Sequence, residues 1–517
     1  MRYIKYLFAI SCFAFFSCNK VIDLYPESNL TTNSFYTTSD EVQTGLIGCY
    51  NALQKPMSYE WQLTELRSDN TKMGVPASSS TTNRDLSDLD EFIPSTGHLA
   101  VYNYWLSTYN VIRNCNIILQ NLGVVYDPTS GNINLSTINI PITDSVRKQY
   151  AGEAMVLRAN AYFNLVRLYG GVFLIHTPIA AEDAKKLSRS PVADIYKLIT
   201  ADLTTASNYL NSAKFTITPT PAQAATIGRV NAWVAKGLLA KVNLTLNQKA
   251  AAISLLQDVI TNSGYSLQGS YANIFSITNE MNSEIMFAVR FKAGNLGLGS
   301  SFGNDFAPLG SGATVINGAG LGLNYPTNDI DTALGITTPD PRKATCMLSY
   351  STSKLLYVKK FLTPVITPND GESDWPILRY ADIILMMAEA QGFTSSSVSL
   401  INQIRVRAGL TALPATVTTI AQFEQALSNE RRLEFAFENQ RFFDLVRFNK
   451  TMTTITAEQT IKNHFAKEFA NHYANYSPVT PLAVLQGYVT ADKLLLPIPQ
   501  HEIDTNSQLV ITQNPGY

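Results

Sequence analysis

Charge is scarce in this sequence, and so are sulfur and histidine. Only 15% of the residues are charged, with Lys and Arg (39) nearly cancelling Asp and Glu (40). No basic run supplies the electrostatic footprint that a phosphate backbone needs, which excludes nucleic acid as a partner. The five cysteines are scattered without any C-x-x-C spacing, so neither a disulfide framework nor a zinc site is expected. His176, His464, His472 and His501 have no partner at a metal-ligand spacing, and His98 alone falls in a stretch suspected of binding. No metal and no cofactor is expected. Gly294, Gly297, Gly299 and Gly303 lack the P-loop lysine and the strand-then-helix setting of a phosphate cradle, and no G-x-S-x-G elbow occurs.

Hydrophobic residues make up 45% of the 517. That is ample for a large core and contrary to wholesale disorder. The chain begins MRYIKYLFAISCFAFFSC, with Arg2 and Lys5 ahead of an apolar run from Tyr6 to Phe16, then Ser17 and Cys18. This is the pattern of an export signal, too short for a stop-transfer helix. A small residue before a cysteine matches a bacterial lipobox, so residues 1–17 are read as a lipoprotein signal peptide and Cys18 as the lipidated residue. Phe15 stands where Leu is usual. The rivals are Cys12, which Ser11 precedes, and an ordinary secretory signal with Cys18 as a bystander. Several acyl chains would hold the mature chain on a membrane, since each buried CH₂ contributes about 0.8 kcal/mol. Cys49 and Cys115 stand among apolar helical residues and read as small core hydrophobes.

From Asp144, a plausible N-cap, Val146, Tyr150, Ala154, Leu157, Ala161, Leu165 and Leu168 recur at steps of three and four, and Gly170-Gly171 closes the run. The spacing predicts one long helix. Further helices are predicted over 39–54, 102–122, 191–210, 229–246, 248–261, 379–391, 397–408 and 419–437. They come in pairs with short connections, and the pair within 229–261 resembles a tetratricopeptide unit. Such pairs bury their faces only by stacking. The expected fold is mainly α: a tetratricopeptide-like helix-pair (α-α superhelix) scaffold over 39–262 and 376–452, with irregular insertions at 55–99, 263–375 and 453–500 and few short strands.

Loops longer than about 15 residues are usually functional or disordered, so the binding site is sought in the first two insertions. Flat rings with Asp and Asn nearby suit sugar faces and hydroxyls. Tyr59 and Trp61 stand beside Glu65, Asp69 and Asn70, while Phe302, Phe306 and Tyr325 stand beside Asn304, Asp305 and Asn324. The candidate ligand-binding set is therefore Tyr59, Trp61, Asp69, Asn70, Phe302, Asn304, Asp305, Phe306 and Tyr325, with Trp61 foremost. Each ring has the alternative of packing its loop onto the scaffold. Trp105, at helical spacing from Tyr102, Tyr109 and Ile112, reads as core, as do Trp233 and Trp375.

Four blocks carry a family resemblance. IDLYPESNLTTNSFYTTSDEVQTGLIGCYNAL follows Cys18; RANAYFNLVRLYGGVFLI stands in the centre, with Phe173 where Pro is usual; ILRYADIILMMAEA, INQIRVRAGL and NERRLEFAFENQRFFDLVRF come later; LLLPIPQHEIDTNSQLVITQNPGY ends the chain. In this order they resemble the SusD/RagB family of outer-membrane nutrient-binding lipoproteins. The resemblance implies tetratricopeptide-like helix pairs, residues 18–517 as one SusD-like domain, a surface-exposed lipid-anchored location, and no catalysis. It also implies a glycan or oligosaccharide ligand delivered to a SusC-like TonB-dependent transporter. A peptide-capturing RagB-like lid is the alternative within the family.

Glu430, Glu434 and Glu438 stand four apart and suggest the paired carboxylates of a secreted glycoside hydrolase. Arg431, Arg432, Arg441, Asp444 and Arg447 surround them. Carboxylates flanked by guanidiniums are held ionised and make poor proton donors, so this block reads as a structural ion-pair network and the catalytic set as empty.

Overall fold

The computed structural model describes residues 35–74, 81–506 and 509–517. The signal segment and Cys18 lie outside the described residues. Helix α1 (Ser39–Ala52) starts on a capping box in which Thr38 and Glu41 satisfy each other's backbone amides. It passes through Leu53 almost directly into α2 (Gln54–Thr64), and α3 (Thr81–Asp90) follows. The expected irregular insertion 55–99 thus carries two helices, with irregular backbone over 65–70 and 91–98. Pro56 falls in the first turn of α2, where a missing N–H costs nothing. Helix α4 (Leu99–Asn121) packs on α1 and α2 and carries the buried Trp105 in its N-terminal half.

Helix α5 (Asp144–Tyr169) is the spine of the fold. Its N-cap is Thr143, whose hydroxyl accepts from the Val146 amide, and Asp144 is the first helical residue rather than the cap. Gly170, at φ 72°, ends it. Buried residues run round the whole circumference between Tyr150 and Tyr169, because neighbours close on it from several sides. Small residues permit this: a Cβ on Gly152 would meet the Leu210 side chain at 2.8 Å.

From α5 each helix packs on the next: α6 (Val192–Tyr209), α7 (Ala232–Thr245), α8 (Lys249–Asn262), α9 (Tyr380–Gln391) and α10 (Ser395–Arg407). Helices α11 (Ile420–Glu434), α12 (Arg441–Thr451) and α13 (Ala457–Glu468) complete this side, α13 lying inside the stretch 453–500 expected to be irregular. Cys49, Cys115 and Cys346 are buried free thiols.

The strands are short and occur in two-stranded antiparallel pairs. One hairpin joins β2 (Val124–Tyr126) to β3 (Ile133–Leu135). Strand β1 (Thr71–Lys72) pairs with β5 (Tyr325–Pro326), joining the first insertion to the second. Strand β4 (Ile285–Val289) pairs with β8 (Trp375–Arg379), so the second insertion leaves and re-enters the scaffold through one closed neck. Strands β6 (Met347–Ser349) and β7 (Leu356–Val358) form a hairpin within it.

Candidate functional site

The two insertions expected to form the site do meet, but through the residues expected to hold ligand. Trp61 is fully buried and meets Phe306 edge-on at 5.1 Å. Phe302 packs on Trp375 at 4.7 Å, and Trp375 stacks on Phe361 at 4.1 Å and 9°. These rings form a small core that mounts the second insertion on α2. Trp61 and Phe306 have no free face to offer a sugar, and Phe302 shows only 1% of its surface, where it lines the opening between α1, α4 and the second insertion, which corrects the expectation of a stacking platform at all three. Tyr325 is also buried; its hydroxyl accepts from the Leu309 amide at 3.0 Å. Gly74 crosses it so closely that any Cβ there would collide with the ring and with the Gly322 carbonyl.

The polar members of the expected set are structural as well. Asp69 is buried and held by Arg441 at 2.7 Å and Arg432 at 3.2 Å. Against desolvation, these guanidiniums hold its carboxyl well below the usual range. Asn70 accepts from Arg432 at 2.9 Å, and its carbonyl accepts from Thr327 at 3.0 Å. Asn304 is a clamp: its side-chain amide donates to the carbonyls of Asn317 and Ala319, both at 3.0 Å, and accepts from the Asn369 amide at 2.8 Å. Asp305 accepts from Ser301 at 2.6 Å, and burial pushes its carboxyl up to about 6. Tyr59 and Asp305 alone of the set are half-exposed, Tyr59 with the Lys55 ammonium 5.3 Å from its ring centre.

Behind this mount lies a buried ion-pair lattice. Glu434 faces Arg342 at 3.1 Å, Arg379 at 3.0 Å and also Arg407. Glu438 pairs with Lys360 and Arg379, both at 2.8 Å, and Glu284 with Arg379 at 2.7 Å. Although desolvation opposes it, the three arginines hold Glu434 well below the usual carboxylate range. Glu430 differs from the expectation: burial raises it despite Arg342 at 2.7 Å. Each carboxylate of the suspected catalytic row is buried in an ion pair.

What the insertions leave open is a cleft of about 420 Å³ between the α1–α2 junction, α4 and the second insertion. Asn51, Asn110, Asn114, Ser58, Ser300 and Asn369 line it, with Lys55 at its edge. Gln54 fixes one wall by donating to the carbonyls of Arg290 at 2.7 Å and Leu298 at 3.1 Å. Asn110 and Asn369 are exposed, so their amides are available as donors and acceptors. Beyond Asn304 the face continues into the turn 308–322 and the β6–β7 hairpin. There Leu309 and Leu321 are exposed apolar groups, joined by Ile366 from the segment after the hairpin, whose carbonyl accepts from Asn317, and the half-exposed Tyr350 hydroxyl lies 3.4 Å from that of Thr314. The sequence reading missed Asn51, Asn110 and Asn114 because they sit on scaffold helices. The signal was two amides four residues apart, hence on one face of a largely apolar helix.

Glu65, at the C-terminal cap of α2, holds the turn before α12, accepting from the Asn439 amide at 2.5 Å. Burial pushes its carboxyl up to about 8, offset in part by that amide and by Lys360. A raised acid binds its proton more tightly in the folded chain, so this contribution to stability is full below about pH 4.3 and is lost as pH rises towards 8. Glu65→Gln should therefore flatten the fall in melting temperature between pH 5 and 8. A variant whose melting profile parallels that of the wild type would show that Glu65 ionises normally.

Comparison with known proteins bears on this face. Residues 22–242 match a family model described as starch-binding, associating with the outer membrane, and residues 333–517 match the SusD family model. A SusD-like protein of Formosa agariphila is 25% identical over 576 aligned residues, covering 99% of each chain. A SusD-like protein of Bacteroides ovatus is 24% identical, covering 85% of this chain and 81% of its own. Among solved structures, a SusD homolog from Bacteroides thetaiotaomicron superposes with a TM-score of 0.73 at 19% identity, covering 94% of this chain and 98% of its own. A laminarin-binding SusD-like protein gives 0.72 at 23%, covering 93% and 100%. Surface glycan-binding protein A from B. thetaiotaomicron, in complex with laminarihexaose, gives 0.70 at 19%, covering 92% and 100%.

Proposed function

The chain belongs to the SusD family, and from that premise we propose that it is a surface lipoprotein of the outer membrane that captures a neutral glycan at the insertion face and passes it to a partner TonB-dependent transporter. Proteins of this family bind glycans and carry out no catalysis. The observation that carries the reading is the cleft itself. It is lined by the exposed amides of Asn51, Asn110 and Asn369, carries Lys55 as the single charge among its described lining residues, and stands on a packed ring cluster and ion-pair lattice. Uncharged polyhydroxylated ligands need such groups, held in place before binding. The family description of outer-membrane association and the laminarin-binding relative support the same reading.

Membrane attachment through Cys18 is part of the proposal. Cys18→Ala should abolish fatty-acid labelling and release the protein from membranes. The wild type, purified from detergent-solubilised outer membranes, should bring down a large barrel transporter. Labelling that survives the substitution, or repeated recovery of the lipoprotein alone under conditions that keep other such pairs intact, would refute the anchored, transporter-linked reading.

A further inference from the structure

The connection between α6 and α7, from Leu210 to Asn231, is far longer than the roughly two to eight residues usual between packed helices. It is nevertheless folded. The Asn211 amide donates to Gln149 at 2.9 Å, the Phe215 amide to the Ser263 carbonyl at 2.8 Å, and the Trp233 indole to the Ala213 carbonyl at 3.0 Å. Thr220 and Gln223 form a capping box for a one-turn helix. Gly264, at φ 77°, lets the strap approach: a Cβ there would lie 2.9 Å from the Phe215 carbonyl.

Beneath this strap is a groove of about 1090 Å³, bounded by the start of α5, the strap and the segment 265–286. It shares no lining residue with the insertion cleft. Its volume lies slightly above the range of about 300–1,000 Å³ usual for ligand pockets. Phe215 is half-buried against Tyr265, with centroids 4.9 Å apart and planes 30° apart, and Tyr209 is a second half-buried ring on the same wall. Amides from Gln43, Asn211 and Asn279 share the lining. The charges within it are neutralised in place: Arg229 makes two hydrogen bonds of 2.8 Å to Glu153, and Glu280 pairs with Arg290. Only Lys214, exposed on the strap, is without such a partner among the lining charges.

We propose that this groove is a second carbohydrate site, taking a neutral oligosaccharide of a few rings independently of the insertion cleft. Half-exposed rings offer apolar faces to sugar rings, amides meet hydroxyls, and with Arg229 and Glu280 neutralised in place the one unpaired lining charge, Lys214, stands out on the exposed strap, which leaves little to hold an ionic ligand within the groove. A peptide would be served less well, because peptide grooves draw on an open strand edge or on charges that capture a terminus.

The test is hydrogen–deuterium exchange of the full chain with and without saturating neutral hexasaccharides, laminarihexaose and maltohexaose among them. Slower exchange is expected in 209–231 and 265–286. Phe215→Ala should weaken that protection roughly threefold to tenfold, the worth of one stacked ring. Ser212→Trp, a substitution of an exposed groove residue, should fill the space and remove the protection with melting unchanged. Asn110→Trp, which blocks the insertion cleft, should leave it intact and so separates this site from the proposed capture site. Protection confined to the insertion cleft, protection by peptides but by no sugar, or protection that survives Ser212→Trp would overturn the proposal.

Discussion

Replacing Glu434 by alanine should destabilise the chain by about 3–5 kcal/mol, the usual cost of breaking a buried ion pair by removing one partner. Three guanidiniums, those of Arg342, Arg379 and Arg407, converge on this carboxylate. Its loss leaves positive charge buried without compensation, so the cost lies in the stranded arginines more than in the missing contact. The lattice ties α11 to β8, to α10 and to the second insertion, so one substitution should loosen all three. The pH dependence follows from the depressed carboxyl. The stability it contributes is full above the unfolded pKa of about 4.3 and falls as the pH is lowered below it. Denaturant unfolding at pH 7 and pH 3 measures both effects. Glu434→Ala with a wild-type midpoint at pH 7 would show that the lattice is dispensable.

Trp61→Ala should cost a similar amount, about 3–5 kcal/mol, the range for emptying a buried aromatic site. The indole is fully buried and supports Phe306, through which it steadies Phe302 and Trp375. Its removal should lower the melting temperature and speed amide exchange across 302–326 even without ligand. Tyr59→Ala, at a half-exposed ring two residues away, should leave melting nearly unchanged. Equal melting of Trp61→Ala and wild type would mean that the ring is not packed as described.

The helices were legible because long apolar stripes at steps of three and four have one reading. Helix α5 could be placed almost to the residue, its cap missing by one because Thr143 and Asp144 are both good N-caps. Helix α2 was hidden by Lys55-Pro56, which reads as a stop although the first turn tolerates proline. The site was legible only as a region. A tryptophan among polar residues looks like an exposed platform, and what buries Trp61 is Phe306, supplied by a segment far away in sequence. Asp69 looked like a sugar ligand for the same reason: its partners Arg432 and Arg441 lie near the other end of the chain. Local composition shows which residue types are present in a loop. Long-range packing decides which of them face solvent.

The central claim, that a neutral glycan is held in the cleft between α2, α4 and the second insertion, is tested most directly by calorimetry. The titration is run on the Ser212→Trp chain, so that the groove beneath the strap is closed and the heat reports the insertion cleft alone. One neutral glycan of a broad panel is predicted to bind at one site per chain, and adding Asn110→Trp is predicted to abolish that binding with melting unchanged. No heat from any glycan, or undiminished affinity in the doubly substituted chain, would contradict it.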